Sequence, residues 1–388
     1  RRHARELCRA HSWTSTCVPP CTLVDVVPSK KACNDPQRPP HPAPSQSNTR
    51  QLLAGHILND YDLREKVLRI RSFVSDGYWV RAQFVITQAL WASARGLSFF
   101  VDLHDAACIE PIQGSCTDGA NQGCSDSKSV KSKPCDVYAS RNLNLSAGWE
   151  EYFEPIGGIS LEDRVITEAN TVELTCEAAW YFNEGAMGGR LATATEWGSG
   201  YPEMRSEAVE VRLRNAALVA AWVRVKAHVF AEAEREWKHL KADALHVIGV
   251  HLRGTDKFVS PKVPPERYYP LIDDYLKSMP RSRIFLATDD TRYADAIVLR
   301  YGAKLVAQLR NGHVSRSSND LGIWSRRSSL QGGSEVLLDT LLLSKCNFLL
   351  KSASAVSEFA IYFAPRLINN SYDFSLKDEI LPSWASIG

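Results

Sequence analysis

The stretch from Val247 to Lys257 constrains the fold more than any other part of the chain. Residues 247–252 are apolar and rich in β-branched side chains, with no acidic or basic charge, which is typical of a strand buried on both faces. Side chains alternate along a strand, so His251 and Arg253 project from one face and reach its carboxyl end together. Open parallel sheets bind ligands at that end. The sequence therefore predicts a binding site there.

The residues beyond this strand favour a ligand that carries phosphate. Arg253 offers a planar guanidinium whose N–H groups match phosphate oxygens in pairs. Asp256 and Lys257 follow shortly after it. The alternative interpretation is a buried strand that ends in a solvated, charged loop.

The second half of the chain alternates strand and helix patterns. The predicted strands are 247–252, 283–287, 303–307, 347–350 and 366–368, and the predicted helices lie near 266–278, 291–301, 334–345 and 355–363. This order predicts a doubly wound parallel sheet with helical crossovers. Before it, a helix over 79–95 followed by a strand over 97–102 predicts another α/β unit.

We place the domain boundary at a long helix that begins near residue 206. Ser206 is the predicted N-cap, and an apolar stripe that includes Leu213 and runs on to Phe230 is the predicted buried face. The predicted domains are a Pro- and Cys-rich extension over 1–50, an α/β domain over 51–205 with a Cys-rich insertion over 108–135, and a Rossmann-like domain over 206–388.

Two carboxylates follow the predicted strand 283–287. Asp289 and Asp290 would lie at the same sheet edge as Arg253. Asp290 is also a predicted N-cap for the helix that comes next, and both roles can hold together.

Asp339 interrupts a helix that is otherwise apolar nearly all round. A buried carboxylate is costly unless it is paired or hydrogen-bonded. A guanine base offers two adjacent N–H donors to such a group, and an internal arginine is the alternative partner.

Ser352 and Ser354 follow another predicted strand and open a helix. Ser354 is the predicted cap, and the N–H groups that a helix start leaves unbonded attract phosphate. The alternative is capping alone.

These motifs resemble the donor site of the α1,6-fucosyltransferases, the enzymes of the N-glycan core and of bacterial nodulation factors. The run from His251 to Lys257, His-Leu-Arg-Gly-Thr-Asp-Lys, resembles their first donor-binding motif, and Ala-Thr-Asp-Asp at 287–290 has a counterpart there. Gly-Trp-Glu-Glu-Tyr-Phe-Glu-Pro at 148–155 is similar to their Gly-Trp-Glu-x-x-Phe-x-Pro stretch. Gly77 and Tyr78 resemble, more weakly, a Gly-Tyr-Gly-like loop on the phosphate or acceptor side.

The resemblance implies the GT-B architecture, in which two Rossmann-like α/β domains face each other across a cleft. It also implies an inverting, metal-independent transferase that moves fucose from GDP-fucose to a glycan or glycoprotein hydroxyl. Arg253 would neutralise the departing diphosphate as the catalytic residue. The other implied donor-binding residues are His251, Asp256, Lys257, Asp289, Asp290, Asp339, Ser352 and Ser354.

The chain departs from the family pattern at two places. The family has a second arginine after the first, where this chain has Gly254, and no carboxylate stands where the family has its base. Glu266 and Asp105 are the candidate substitutes for that base, with Asp256 a third. Two alternatives follow, namely a catalytically inactive structural or glycan-binding subunit and a transferase that uses another GDP-sugar.

Composition excludes some classes of partner. The net charge is only +2, from 46 basic and 44 acidic residues, so no overall field favours nucleic acid. The sequence contains no run of about 18 apolar residues that would span a bilayer. The ten histidines show no paired ligand spacing, so we expect no metal.

Eight of the ten cysteines form two groups of four, namely Cys8, Cys17, Cys21 and Cys33, then Cys108, Cys116, Cys124 and Cys135. Their loops are rich in polar residues and bury little apolar surface, which favours disulfides over zinc. Disulfides imply the secretory pathway, with the protein in the Golgi lumen or outside the cell and any membrane anchor upstream of Arg1. The sequons at Asn144 and Asn369 agree with that compartment.

Overall fold

A computed structural model describes residues 66–70, 78–94, 96–103, 148–160, 166–167, 170–173, 204–254, 262–309 and 329–385. These residues form two parallel sheets with flanking helices. The predicted α/β class is therefore confirmed. None of the helices in these ranges is long and apolar enough to cross a membrane.

The first sheet has three parallel strands in the order β2-β1-β3. They are β1 (Val67–Ile70), β2 (Ser98–Val101) and β3 (Thr171–Glu173). Helix α1 (Tyr78–Ala94) connects β1 to β2. A connection that contains a helix of this length is long enough to join two parallel strands. The predicted helix and strand in this region are confirmed to within a residue or two.

The second sheet has five parallel strands in the order β6-β5-β4-β7-β8. They are β4 (His246–Leu252), β5 (Ser282–Thr288), β6 (Val306–Ala307), β7 (Phe348–Lys351) and β8 (Ser371–Asp373). The helices are α2 (Arg205–Trp222), α3 (Ala227–Lys241), α4 (Tyr269–Ser278), α5 (Thr291–Tyr301), α6 (Ser329–Lys345) and α7 (Ala355–Phe363).

Strand β4 lies at the centre of the second sheet and is buried on both faces. Ile248 and Val250 pack with the residues of α4 and α5, whereas Val247 packs with those of α6 and α7. Gly249 lies on this second face, where an added Cβ would be 3.0 Å from Sγ of Cys346. The glycine therefore permits α6 to lie close against the strand.

The two sheets share one hydrophobic core through α1. The indole ring of Trp79 stacks on Phe359 with ring centroids 4.1 Å apart. Its Nε1 donates a hydrogen bond of 2.8 Å to Oγ1 of Thr340 in α6. The buried side chains of both α/β units thus form a continuous cluster.

The single long helix predicted from residue 206 is wrong, because the chain leaves the helix between α2 and α3. Val225 forms an isolated antiparallel bridge with Phe153, and the N–H of Lys226 donates to the carbonyl of Tyr152 at 2.9 Å. These backbone bonds to a distant segment replace helical ones. The predicted cap is also wrong, since Met204 rather than Ser206 precedes the first helical residue.

The predicted buried stripe is wrong in part, because Ala216 and Val223 are buried as predicted but two of its larger side chains are not. Leu213 is 56% exposed and Phe230 is 44% exposed, whereas Arg212 and Asn215 are buried. The inward face of α2 is partly polar, because Arg212 contacts charged groups described below.

The predicted strand over 366–368 is a 3-10 turn, Pro365–Ile368, and the strand is β8 instead. Within this turn, the guanidinium of Arg366 donates to the carbonyls of Cys346 at 2.7 Å and Ser344 at 2.8 Å. This side chain satisfies carbonyl groups at the end of α6. The strand predicted over 303–307 is shortened to its last two residues, β6.

Candidate functional site

The carboxyl ends of β4, β5, β7 and β8 meet at one edge of the second sheet, since all four strands are parallel. This edge holds His251, Arg253, Asp289, Asp290 and the segment 352–354. Residues that are far apart in sequence are thereby brought together where parallel sheets bind ligands.

Arg253 is held in place by Asp289 from the neighbouring strand. Its Nε lies 2.9 Å from Oδ2 of Asp289, and the other oxygen, Oδ1, accepts the backbone N–H of Gly254 at 2.7 Å. One carboxylate thus orients both the guanidinium and the backbone that follows it. The Arg253 side chain keeps 23% of its surface exposed, so it is accessible to a ligand at the sheet edge.

Gly254 is required by the close approach of the turn that follows β5. An added Cβ would lie 2.5 Å from Cβ of Asp290, which is far inside van der Waals contact. A second arginine at this position would displace the turn between β5 and α5. The departure from the fucosyltransferase motif is therefore built into the packing of this edge.

Asp290 caps α5, as predicted. Its Oδ1 accepts the backbone N–H of Arg292 at 2.9 Å, and Oδ2 accepts Nη2 of the same arginine at 2.6 Å. Burial alone would raise the pKa of Asp290, but the hydrogen bonds and charge of Arg292 hold it below its ordinary value. Asp290 is therefore a stable anion whose main contact is structural.

Asp339 lies on the stripe of α6 that covers β4. Leu343 of this helix and Cys346, the residue after its end, contact the position of Gly249. One helical turn back from Leu343 is Asp339, a step of about 5.4 Å, and two residues on from Gly249 is His251, a step of about 6.6 Å. A helix that joins parallel strands runs antiparallel to them, so Asp339, which is 8% exposed, lies nearer than Leu343 to the carboxyl end of β4.

Tyr268 is hydrogen-bonded to the carboxyl end of β4. Its hydroxyl donates to the carbonyl of His251 at 3.2 Å. Burial raises its pKa well above the ordinary value, and a hydrogen bond with the Ser352 side chain lowers it only in part. The neutral phenol therefore links the ends of β4 and β7.

The turn over residues 352–354 leads from β7 into α7. Ser354 occupies the predicted N-cap position, but its side chain makes no capping hydrogen bond among the residues that the structure describes. Instead, the Ser357 hydroxyl lies 3.1 Å from the carbonyl of Ser354 and 3.4 Å from that of Ser352. The turn is thus held through its carbonyl groups.

Four buried charged residues lie around this turn, and we refer to them as the charge cluster: Arg212, Lys351, Glu358 and Asp373. Each side chain is at most 1% exposed. Nη2 of Arg212 is 2.6 Å from Oε1 of Glu358 and 2.6 Å from Oδ2 of Asp373. Nζ of Lys351 is 2.9 Å and 2.5 Å from the same two oxygens. Two cations and two anions therefore balance.

The charge cluster keeps both carboxylates ionised. Burial alone would raise the pKa of Asp373, but Lys351 and Arg212 hold it well below its ordinary value of 3.8. The pKa of Glu358 is likewise lowered from 4.5, because Arg212 and Lys351 outweigh the effect of burial.

Sequence reasoning missed this cluster. Arg212 was not predicted to be buried, because the apolar residues of its helix indicated a different buried face. The available signal was Lys351, a charged residue that closes the otherwise apolar strand Phe-Leu-Leu. A lysine in a strand paired on both sides needs a buried carboxylate partner.

The remaining candidate residues are less central. Glu266 is exposed in the 3-10 turn Pro265–Arg267. Burial raises the pKa of Tyr293, and the charges of Asp290, Asp289 and Glu266 raise it further. Tyr78 is buried among aromatic side chains, with its ring centroid 5.0 Å from that of Trp79.

Several predicted residues lie outside the ranges that the structure describes. They are Gly77, Asp105, Asn144, Asp256 and Lys257, together with the two groups of four cysteines. Their predicted roles stay predictions. Asn369 is exposed at the end of the 3-10 turn before β8, where a glycan would not meet the core.

We predict that the charge cluster makes stability depend on acid pH. Because the folded-state pKa values of Asp373 and Glu358 are lowered, the unfolded chain binds more protons below the ordinary values of 3.8 and 4.5. Stability from these groups is thus fully present above those values and is lost as the pH falls through the folded pKa values. The free energy of unfolding, measured by urea titration at pH values from 7 to 3, should fall on the acid side.

The matched variant combines Lys351→Met with Asp373→Asn, which removes one charge of each sign and leaves Arg212 with Glu358. Its unfolding free energy should depend less steeply on pH below about 4, since one shifted carboxylate is gone. Identical pH profiles for the variant and the native chain would contradict the assignment.

Comparison with known proteins gives only remote similarity. No protein-family model matches the chain, and no curated protein matches its sequence. Among solved structures, it is similar to NodZ α-1,6-fucosyltransferase co-crystallised with GDP, at 12% identity, covering 80% of this chain and 94% of that one, with a TM-score of 0.40.

Two further solved structures are similar to the same extent. Fucosyltransferase NodZ from Bradyrhizobium has 14% identity, covering 80% of this chain and 96% of that one, with a TM-score of 0.40. A single-site mutant of Arabidopsis thaliana FUT1 in complex with GDP has 13% identity, covering 87% of this chain and 80% of that one, with a TM-score of 0.37. At these identities the likeness concerns the fold alone.

Proposed function

We propose that the chain is a glycosyltransferase that moves fucose from GDP-fucose to a hydroxyl group of a glycan or glycoprotein. The observation that carries this proposal is the guanidinium of Arg253 at the carboxyl end of the central strand, where Nε lies 2.9 Å from the orienting carboxylate of Asp289. An arginine so placed suits a diphosphate. The motif resemblance of residues 251–257 supports the GDP-sugar.

The diphosphate would lie between Arg253 and the start of α7. The 352–354 turn follows β7, the strand that pairs with β4, so both groups border the same edge. The first N–H groups of α7 have no partner within the helix and attract anions. Neither Arg253 nor these amides needs a metal to stabilise the negative charge on the leaving group.

Asp339 would bind the guanine base. It lies on α6 one turn before Leu343, which contacts the position of Gly249. A carboxylate there can accept the adjacent N1–H and N2–H donors of guanine. Uracil has no such pair of donors, so this position gives a reason for GDP over UDP. His251 would contact the ribose or the base.

The reaction would invert the anomeric centre. An acceptor oxygen attacks C1 of fucose from the face opposite the diphosphate, and the bond from C1 to the β-phosphate oxygen breaks. Its electron pair leaves with GDP, whose charge Arg253 neutralises. The acceptor proton passes to a base. Glu266, which is exposed in the 3-10 turn before α4, is our candidate, with Asp105 as the alternative.

The proposal extends to the compartment. Two groups of four cysteines and two sequons favour a protein of the secretory pathway, in the Golgi lumen or outside the cell. Glycan and glycoprotein acceptors are found there, which agrees with the proposed reaction.

We predict that the chain binds GDP and that Arg253 carries the diphosphate contact. By isothermal titration, GDP should bind with an affinity that EDTA does not change, and UDP should not bind measurably. Arg253→Ala should weaken GDP binding by about 10- to 100-fold, the effect of losing hydrogen bonds to a charged group, and should abolish transfer.

The matched control is Arg300→Ala. Arg300 is a partly exposed arginine of the same domain that pairs with Asp273 at 2.5 Å, away from the strand ends. It should leave GDP affinity unchanged. Unaltered affinity in Arg253→Ala would contradict the assigned role, and failure of the native chain to bind GDP would favour a structural or glycan-binding subunit instead.

We also predict that the Asp339 carboxylate recognises the guanine amino group by accepting a hydrogen bond from it. Inosine diphosphate lacks that group, so the native chain should bind it about tenfold more weakly than GDP, the effect of one hydrogen bond to a carboxylate. Asp339→Asn should remove most of this preference while the melting temperature stays close to that of the native chain. An Asp339→Asn variant that still prefers GDP to the same degree would show that another group reads the base.

A further inference from the structure

The charge cluster encloses the turn that the proposed function assigns to the diphosphate. Lys351 is the residue immediately before the turn, and Glu358 lies in the first turn of α7. Arg212 and Asp373 come from α2 and β8 and complete the cluster. Both ends of a three-residue turn are therefore tied to the same group of charges.

The backbone of the turn is fixed as firmly as its flanks. The carbonyl of Lys351 accepts the N–H of Phe374 at 2.9 Å, and that of Ser354 accepts the N–H of Glu358 at 3.1 Å. The Ser357 hydroxyl lies within 3.4 Å of the carbonyls of Ser352 and Ser354. With its carbonyl groups engaged inside the protein, the turn has one defined orientation.

Lys351 cannot bind phosphate itself. Its side chain is 0% exposed and lies within 2.9 Å of two carboxylates. Any effect of this lysine on a phosphate ligand must therefore act through the position of the turn.

Stability alone does not explain these charges. Removing four charged groups from water has a free-energy cost comparable to what their attraction returns, and well-packed apolar residues often stabilise a protein as well or better. A cluster of charges with fixed geometry does, however, favour one relative position of the elements that contribute the charges. The arrangement defined here is that of α2, β8 and the 352–354 turn.

We propose that Lys351 and Asp373 are positioning residues, which hold the 352–354 turn so that the start of α7 faces the diphosphate of the nucleotide. This inference rests on the proposed function and adds to it a residue pair that no motif indicated. It predicts that the charge cluster affects the phosphate part of the ligand and not the nucleoside part.

The test compares GDP with guanosine in the variant that combines Lys351→Met with Asp373→Asn. The net charge is unchanged, and Arg212 keeps its bidentate contact with Glu358, at 2.6 Å and 3.1 Å. Titration calorimetry should show GDP binding weakened by about tenfold, as for one lost phosphate hydrogen bond, with guanosine affinity equal to that of the native chain.

A merely structural role gives a different result. It would lower the affinities for GDP and guanosine by the same factor, or change neither, and either outcome overturns the inference. The surface pair Arg300→Met with Asp273→Asn is the matched control and should change neither affinity. A native chain that binds neither compound would instead refute the proposed function itself.

A second variant tests the inference even if the double variant does not fold. Ser357→Ala removes the hydroxyl beside the two turn carbonyls and changes no charge. It should also weaken GDP binding, by a smaller factor, and leave guanosine binding unchanged. A Ser357→Ala protein with the native ratio of GDP to guanosine affinity would overturn the inference even if the double variant does not fold.

Discussion

Close packing of α6 against β4 is the constraint on which the geometry of the site depends. A Cβ at Gly249 would lie 3.0 Å from Cys346 Sγ and 3.2 Å from Leu343, so the helix can approach this far only over a glycine. The contact also sets the register between helix and strand. That register places Asp339 nearer than Leu343 to the carboxyl end of β4, where the proposed base contact lies.

A second glycine allows close packing at the carboxyl end of β4. Gly254 lets the turn after β5 come within contact, and Asp289 then bonds both the Gly254 N–H and the Arg253 guanidinium. On the other side of β4, the charge cluster fixes the turn after β7. The edge is thus built from two fixed turns around one oriented arginine, and the proposed binding of a leaving diphosphate would use this preorganisation.

The sequence predicted the elements whose signals are local. Strands β4 and β5 and helices α5 and α7 follow from apolar periodicity and from Asp290 as a cap. The break between α2 and α3 was not predictable in this way, because it depends on the bridge between Val225 and Phe153. Arg366 and Arg212 were missed for the same reason, since each bonds groups far away in the chain.

For the candidate site too, some features could be predicted from the sequence and others could not. The positions of Arg253, Asp289 and Ser354 at one edge followed from strand alternation and parallel topology. The pairing of Arg253 with Asp289 and the steric need for Gly254 did not, because both depend on distances between neighbouring strands.

A crystal structure of the chain with GDP tests the central claim most directly. Our account predicts diphosphate oxygens within hydrogen-bonding distance of the Arg253 guanidinium and of the first backbone N–H groups of α7, with guanine against Asp339. A nucleotide bound elsewhere, or one at this edge whose diphosphate contacts neither Arg253 nor α7, would contradict it.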